Sequence, residues 1–110
     1  MIQKTMEKIR AKVRQEGCVA SEKKDELLGL LSVLETEITE LSATNSEHAE
    51  SITGFIERSA HEATRQERQP ELLEHSLAGL TASVKGFEAS HPALVESINS
   101  VCNLLANIGI

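Results

Sequence analysis

The stretch PALVESINSVCNLLANIGI, residues 92–110, is strongly apolar and dictates how the rest of the chain must fold. Its apolar side chains recur at alternating spacings of four and three, which is typical of one face of an α-helix. This face consists of Leu94, Val95, Ile98, Val101, Cys102, Leu105 and Ile108. Burying each such side chain contributes roughly 1.5–3 kcal/mol. We therefore expect other helices to cover this face.

The residues before this stretch predict where its helix begins. Ser90 or His91 can cap the first turn, and Pro92 suits that turn because a proline there loses no helical hydrogen bond. The Ser90–His91–Pro92 junction therefore predicts a boundary, followed by a helix over about 92–108.

The end of the stretch predicts a helix stop and an interaction face. Gly109 fits a left-handed position after the last turn, from which Ile110 could fold back on Leu105. One further helix of the same chain would leave part of so wide a face uncovered. We therefore expect the chain to self-associate as a homodimer through this face, with Ile110 included.

Three more helical segments follow the same rhythm, over about 2–16, 22–67 and 71–88. Their apolar rows are Ile2, Met6, Ile9 and Val13; Leu27, Leu31, Leu34, Ile38 and Leu41; and Leu73, Leu77, Leu80, Val84 and Phe87. Two aromatic residues, two prolines and six glycines suit an aliphatic helical core better than a β-sandwich or barrel. The sequence predicts an all-α fold of about four helices, one domain over 1–110, in a bundle or coiled-coil-like hairpins.

The segment 22–67 has two interpretations. The apolar phase of its first half continues through Asn45, His48, Ile52 and Phe55, which favours one long helix. Alternatively, the chain breaks near 44–46, where Thr44 and Glu47 have the spacing of a capping box. Because no glycine or proline enforces a break, we favour the continuous helix.

Charge is distributed unevenly along the chain, whose net charge is −6. Residues 1–14 contain five basic side chains and one acidic side chain, whereas the remainder contains six basic and sixteen acidic ones. This balance is poor for nucleic-acid binding, which needs clustered cations. The basic segment 1–14 could lie on an anionic membrane surface, but its short apolar row and lack of aromatic residues favour packing onto the domain.

The absence of targeting signals in the sequence and the use of its two cysteines favour a cytoplasmic location. No run approaches the roughly 20 apolar residues of a transmembrane helix, and the first residues lack the apolar core of a secretion signal. Cys18 and Cys102 lie far apart, with no second pair. We expect Cys102 to be a small core residue and Cys18 to be a loop thiol.

Few residues point to catalysis or metal binding. Glu88 and His91 have the E-x-x-H spacing of half a di-iron site, and His75 is a further candidate ligand, but a second such motif is missing. No phosphate-binding glycine-rich loop and no activated nucleophile is evident. We therefore expect neither an enzyme nor a bound cofactor, with a metal- or ligand-binding bundle as the alternative.

The chain resembles a bacterial family of short helical proteins, domain of unknown function family 4404. The resemblance rests on the segment DELLGLLSVLETEI (25–38) and on Phe87, Glu88, Ser90, His91, Pro92, Asn107, Ile108, Gly109 and Ile110. It covers about 1–41 and 71–110, and the segment 42–70 looks longer than in typical members. The resemblance implies a cytoplasmic bacterial protein and no established activity. The function we expect is a self-associating scaffold or a module that binds another protein.

Overall fold

The computed structural model describes residues 2–15 and 20–109, and their regular structure is α-helical throughout. The five helices are α1 (Ile2–Gln15), α2 (Ser21–Ser42), α3 (Ser46–Thr64), α4 (Pro70–Ser83) and α5 (Pro92–Gly109). The radius of gyration of 12.9 Å is close to the ~13 Å expected of a compact 100-residue domain. The all-α prediction is confirmed, with five helices rather than four.

The helix α3 holds the arrangement together, because it packs against all four other helices. On one side α1 packs against α2 and α3, and on the other α4 packs against α3 and α5. Within the described ranges α1 and α4 do not contact each other. One strip of α3 therefore remains open to solvent, bounded by α1 on one side and α4 on the other.

The core is aliphatic and draws on every helix. The largest fully buried side chains are Met6, Ile9, Leu27, Leu31, Leu34, Ile38, Leu41, Ile52, Ile56, Leu80, Leu94 and Ile98. Each contributes roughly 1.5–3 kcal/mol on burial, so the predicted rows of α1, α2 and α5 supply most of the driving force for folding.

The favoured continuous helix over 22–67 is wrong, and the alternative break near 44–46 is confirmed, because the chain turns at residues 43–45. The Thr44 hydroxyl donates to the Leu41 carbonyl at 3.3 Å. Asn45 then leaves the helical conformation, with φ −150° and ψ 65°, and its carbonyl accepts the first hydrogen bond of α3, from the Ala49 amide. The turn lets α3 fold back onto α2, so that both apolar faces are buried.

The turn also shifts the apolar phase by one residue. The buried row of α3 is Ala49, Ile52, Ile56, Ala60 and Ala63, whereas continuation of the α2 phase predicts positions 48, 52 and 55. His48 is exposed as a result. The Phe55 side chain is 38% exposed.

The helix α4 is shorter than the predicted 71–88. It ends at Ser83, whose hydroxyl donates to the Leu80 carbonyl at 2.6 Å. Gly86 has φ +95°, a left-handed conformation that glycine adopts without a steric penalty. The chain leaves the helix at this point and returns Phe87 to the core side, where its amide donates to the Val84 carbonyl.

The end of α5 also differs from the prediction. Gly109 is the last helical residue and is not left-handed. A Cβ atom there would lie well inside van der Waals contact of Leu73 Cδ2, so the glycine serves close packing of α5 against α4. Arg68 Nη1 donates to the Ile108 carbonyl at 2.6 Å and caps this end. Ile110, predicted to fold back on Leu105, lies outside the described residues.

Cys102 is half-buried and packs against the core, between α5 and α4. Its sulfur lies 3.7 Å from the Thr81 hydroxyl oxygen. Burial raises the pKa of the Cys102 thiol, and the Thr81 contact offsets part of that rise. The thiol therefore stays protonated to a higher pH than in the unfolded chain.

The two glycines Gly109 and Gly54 generate opposite stability predictions. We expect Gly109→Ala to lower the free energy of unfolding by about 1–2 kcal/mol, because buried Leu73 must give way. We expect Gly54→Ala to raise it by up to about 1 kcal/mol, because a Cβ there meets nothing within 4 Å and alanine favours helix. Urea denaturation measures both. Equal effects of the two variants would contradict the packing role of Gly109.

The raised pKa of Cys102 predicts slow alkylation. The thiolate is the reactive form, so in a Cys18→Ser variant the pH profile of iodoacetamide labelling should lie at higher pH for folded than for urea-unfolded protein. Thr81→Val should move the folded profile further upward, because it removes the contact that lowers the pKa. Mass spectrometry of the labelled protein follows the rate. Coincident profiles for the folded and unfolded protein would contradict the assigned burial.

Candidate functional site

The predicted interaction face of α5 lies inside the chain. Leu94, Ile98, Val101, Leu105 and Ile108 are buried. Val95 and Cys102 are half-buried against the same core. Three helices of the same chain, α2, α3 and α4, pack against α5, so no second copy is needed to cover this face. Ile110, the last residue assigned to this face, is not among the described residues.

The Ser90–His91–Pro92 junction starts α5 as predicted. The carbonyl of His91 accepts a hydrogen bond from the Val95 amide, and the amide of His91 donates one to the Phe87 carbonyl at 2.7 Å. His91 therefore links the turn to the helix. Its ring Nδ1 lies 3.0 Å from the Ser90 hydroxyl. These contacts give the junction a structural role at the helix boundary.

Phe87 lies between two histidine rings at this end of the bundle. The His91 ring meets the Phe87 ring edge-on at 5.7 Å between centroids, and the His48 ring does so at 5.4 Å. Such edge-to-face contacts are each worth about 0.5–1.5 kcal/mol. They tie the α4–α5 turn to the beginning of α3.

The three candidate metal ligands do not form a metal site. The Glu88 carboxylate accepts the Gly86 amide at 2.8 Å, which stabilises the turn, while His75 lies on α4 beside Phe55 and Leu72. Across residues 2–15 and 20–109, no three His, Cys, Asp or Glu side chains are grouped as ligands would be. Cys18 lies outside these ranges.

The basic helix α1 turns its apolar row into the core. Met6, Ile9 and Val13 are buried, so no apolar stripe is left for a membrane surface. Its cations reach the acidic helices of the same chain. Arg10 pairs with Glu7 and with Glu35 of α2.

A cationic groove runs between α1 and α3. Lys8 and Lys12 of α1 face Arg58 and His61 of α3 across it. Glu57 is the acidic residue among those that line the groove, and Lys8 Nζ lies 3.4 Å from its carboxylate. We call this feature the α1–α3 groove.

A second groove, between α3 and α4, is apolar. Phe55 and Leu72 line it together with Arg58, Glu62, His75 and Ser76. The Phe55 ring lies over Gly79, where any side chain would collide with it. Leu72 is 46% exposed. We call this feature the α3–α4 groove.

The two grooves meet at Arg58, which lines both. The Arg58 side chain is 64% exposed and lies 3.6 Å from the carboxylate of Glu62, which is buried and also pairs with Arg65. The exposed strip of α3 thus joins a cationic surface to an apolar one. This combination suits binding of anionic and apolar groups.

Sequence reasoning did not identify this strip. It assigned Phe55 to a continuous apolar row, where the side chain would be buried, and it did not single out Arg58. The alternative break near 44–46 could have revealed the shifted phase, because a new helix need not keep the old register. Its proposed capping box of Thr44 and Glu47 does not form, since Asn45 is the N-cap without a side-chain cap hydrogen bond and the Thr44 hydroxyl donates to the Leu41 carbonyl.

None of the helices in the described part of the chain is long and apolar enough to cross a bilayer.

Comparison with known proteins identifies a family. No curated protein and no solved structure matches the chain. Residues 56–110 match the family described as Domain of unknown function (DUF4404). The match includes the Ser90–His91–Pro92 junction and α5. It also reaches into the segment 42–70, which looks longer than in typical members, and it does not include residues 1–41. Because it spans half of the sequence, the chain belongs to this DUF4404 family.

Proposed function

We propose that this protein is a non-enzymatic scaffold of the cytoplasm that self-associates as a homodimer through the α3–α4 groove. One observation carries the proposal: Phe55 and Leu72 are two of the three large exposed hydrophobic residues in the described ranges, and they lie in the same groove. Scattered single apolar residues are normal on a surface, whereas adjacent ones in a groove favour a contact site.

The charges around this groove favour a second copy of the chain as its occupant. Arg58 of α3 lies on one side, and Glu71 and Glu74 are exposed on the first turns of α4. In a dimer with a two-fold axis the same patch appears on both subunits. If α3 of one copy lies along α4 of the other, Arg58 approaches these carboxylates while Phe55 covers Leu72 of the second copy.

The size of the patch predicts a dissociable dimer. Obligate dimer interfaces bury about 2,000 Å² or more and resemble a domain core. Here the core is completed within one chain, and the groove offers two partly exposed apolar side chains. We expect the monomer to be folded and the dimer to form as concentration rises.

The other functions considered from the sequence have less support. The α5 face is covered within the chain, so it is not the proposed dimer surface. The apolar row of α1 is buried, which removes the support for membrane-surface binding. Glu88, His91 and His75 do not converge, so a metal-binding bundle is not proposed.

Light scattering over a dilution series tests the dimer. We expect the wild-type mass to rise toward twice the 12.0 kDa of one chain with concentration. Leu72→Ser and Phe55→Ser should keep the mass of a monomer, because each removes an apolar contact across the two-fold axis. Val33→Ser is the matched control, since Val33 is 54% exposed but lies on α2, away from the groove.

Circular dichroism of each variant distinguishes loss of the dimer from loss of the fold. A wild-type chain that stays monomeric at every concentration would reject self-association. A dimer that survives Leu72→Ser, or that Val33→Ser weakens equally, would reject the α3–α4 groove as its surface.

A further inference from the structure

The α1–α3 groove concentrates positive charge on an acidic protein. Lys8, Lys12 and Arg58 line it against the single carboxylate of Glu57, whereas the whole chain has a net charge of −6. Its volume is about 370 Å³, which is within the usual range for small-molecule sites, roughly 300–1,000 Å³. The groove therefore gathers positive charge on a chain that is acidic as a whole.

Lys12 is the cation in this groove whose charge is least compensated. It is half-buried, and its ammonium contacts Nδ1 of His61. An ammonium group can only donate, so this neighbour adds no negative charge to offset that of Lys12. Within the described residues Lys12 takes part in none of the ion pairs, unlike Lys8 and Arg10.

The other two cations of the groove each have a carboxylate neighbour. Lys8 Nζ lies 3.4 Å from Glu57 in an exposed pair, and such pairs are worth about 0–1 kcal/mol. Arg58 is exposed, and its Nη1 lies 3.6 Å from Glu62, which is buried and has a second partner in Arg65 at 3.0 Å. A bound anion can therefore recruit Lys8 at little cost, and it can recruit Arg58 while Glu62 stays paired with Arg65.

Gly54 keeps the groove open. It lies in the interior of α3 and lines the groove, and a Cβ at this position would meet nothing within 4 Å. Glycine in a helix interior costs about 1 kcal/mol relative to alanine. No close contact among the described residues of the chain therefore requires a glycine at position 54. A larger side chain at this position would instead take up free space in the groove.

We propose that the α1–α3 groove binds a phosphate-type oxyanion, with Lys12 as the principal ligand and Lys8 and Arg58 closing around it. The His61 ring lines the same wall. Phosphoryl oxygens accept several hydrogen bonds from lysine and arginine, so a diphosphate group can use all three cations. This binding site shares Arg58 with the proposed dimer surface, whereas Lys8, Lys12 and Gly54 do not line the α3–α4 groove.

Titration with inorganic pyrophosphate tests the site. The binding is monitored through the amide signals of isotope-labelled protein in nuclear magnetic resonance spectra. Sodium chloride of equal ionic strength is the reference. We expect saturable shifts at the amides of α1 and α3, which sodium chloride does not reproduce. Inorganic phosphate should bind more weakly and glutamate weaker still, so the series distinguishes phosphoryl groups from the carboxylates of an acidic partner.

Two variants test the charge and the space of the groove separately. Lys12→Gln should weaken pyrophosphate binding roughly tenfold, the effect of losing about 1.4 kcal/mol of binding free energy. Gly54→Leu should abolish binding without a change of charge, because its side chain would occupy the groove.

Each variant has a matched control outside the groove. Lys4→Gln removes the same charge from another position of α1, and Gly29→Leu adds the same side chain to an exposed helical glycine of α2. Both should bind as the wild type does. Titrating the Leu72→Ser background keeps any effect of dimerisation out of the result.

Three outcomes would overturn the proposal. Absence of saturation with pyrophosphate would show that the groove is not a site. Equal weakening by Lys4→Gln and Lys12→Gln would show attraction by diffuse charge alone. Stronger binding of glutamate than of pyrophosphate would assign the groove to carboxylates instead.

Discussion

Coverage of the α5 apolar face is the constraint on which the rest of this structure depends. Exposing five aliphatic side chains such as Leu94 and Ile98 would cost about as much free energy as the whole stability of a small domain. The chain meets this demand internally, by laying α2, α3 and α4 against α5. For α3 to reach α5 as well as α2, the chain must turn at residues 43–45, so the break in the predicted long helix is a consequence of that burial.

This arrangement also determines where function is available. Because α3 is central, α1 and α4 end up beside it without touching each other, and the strip of α3 between them stays in solvent. The buried row of α3 is shifted by one residue relative to that of α2, which turns Phe55 outward. The candidate surface therefore arises from the same turn that completes the core.

The sequence predicted those parts of the fold that depend on local periodicity. The apolar rows of α1, α2 and α5 were identified because their spacing of four and three is unbroken, and the bounds of α1 and α5 were nearly correct. The turn at Asn45 was only the second of the two interpretations of the segment 22–67, because the residues at the turn are polar and include no glycine or proline. Gly109 was assigned the wrong role because its contact with Leu73 joins distant parts of the chain. The two grooves could not be predicted from the sequence, since they exist because, among the described residues, α1 and α4 pack on either side of α3 without contacting each other.

The basic segment at the start of the chain shows how one helix can serve both the fold and a site. Arg10, nearest to the core, is satisfied by Glu35 across the α1–α2 contact, and Lys8 approaches Glu57 on α3. Lys12 is one turn further along the same side as Lys8, and α3 presents it with an imidazole instead of a carboxylate. A glutamate at position 61 would have neutralised this lysine and strengthened the α1–α3 contact. With histidine there, positive charge remains in the groove, at the place where α3 also lacks a side chain at Gly54.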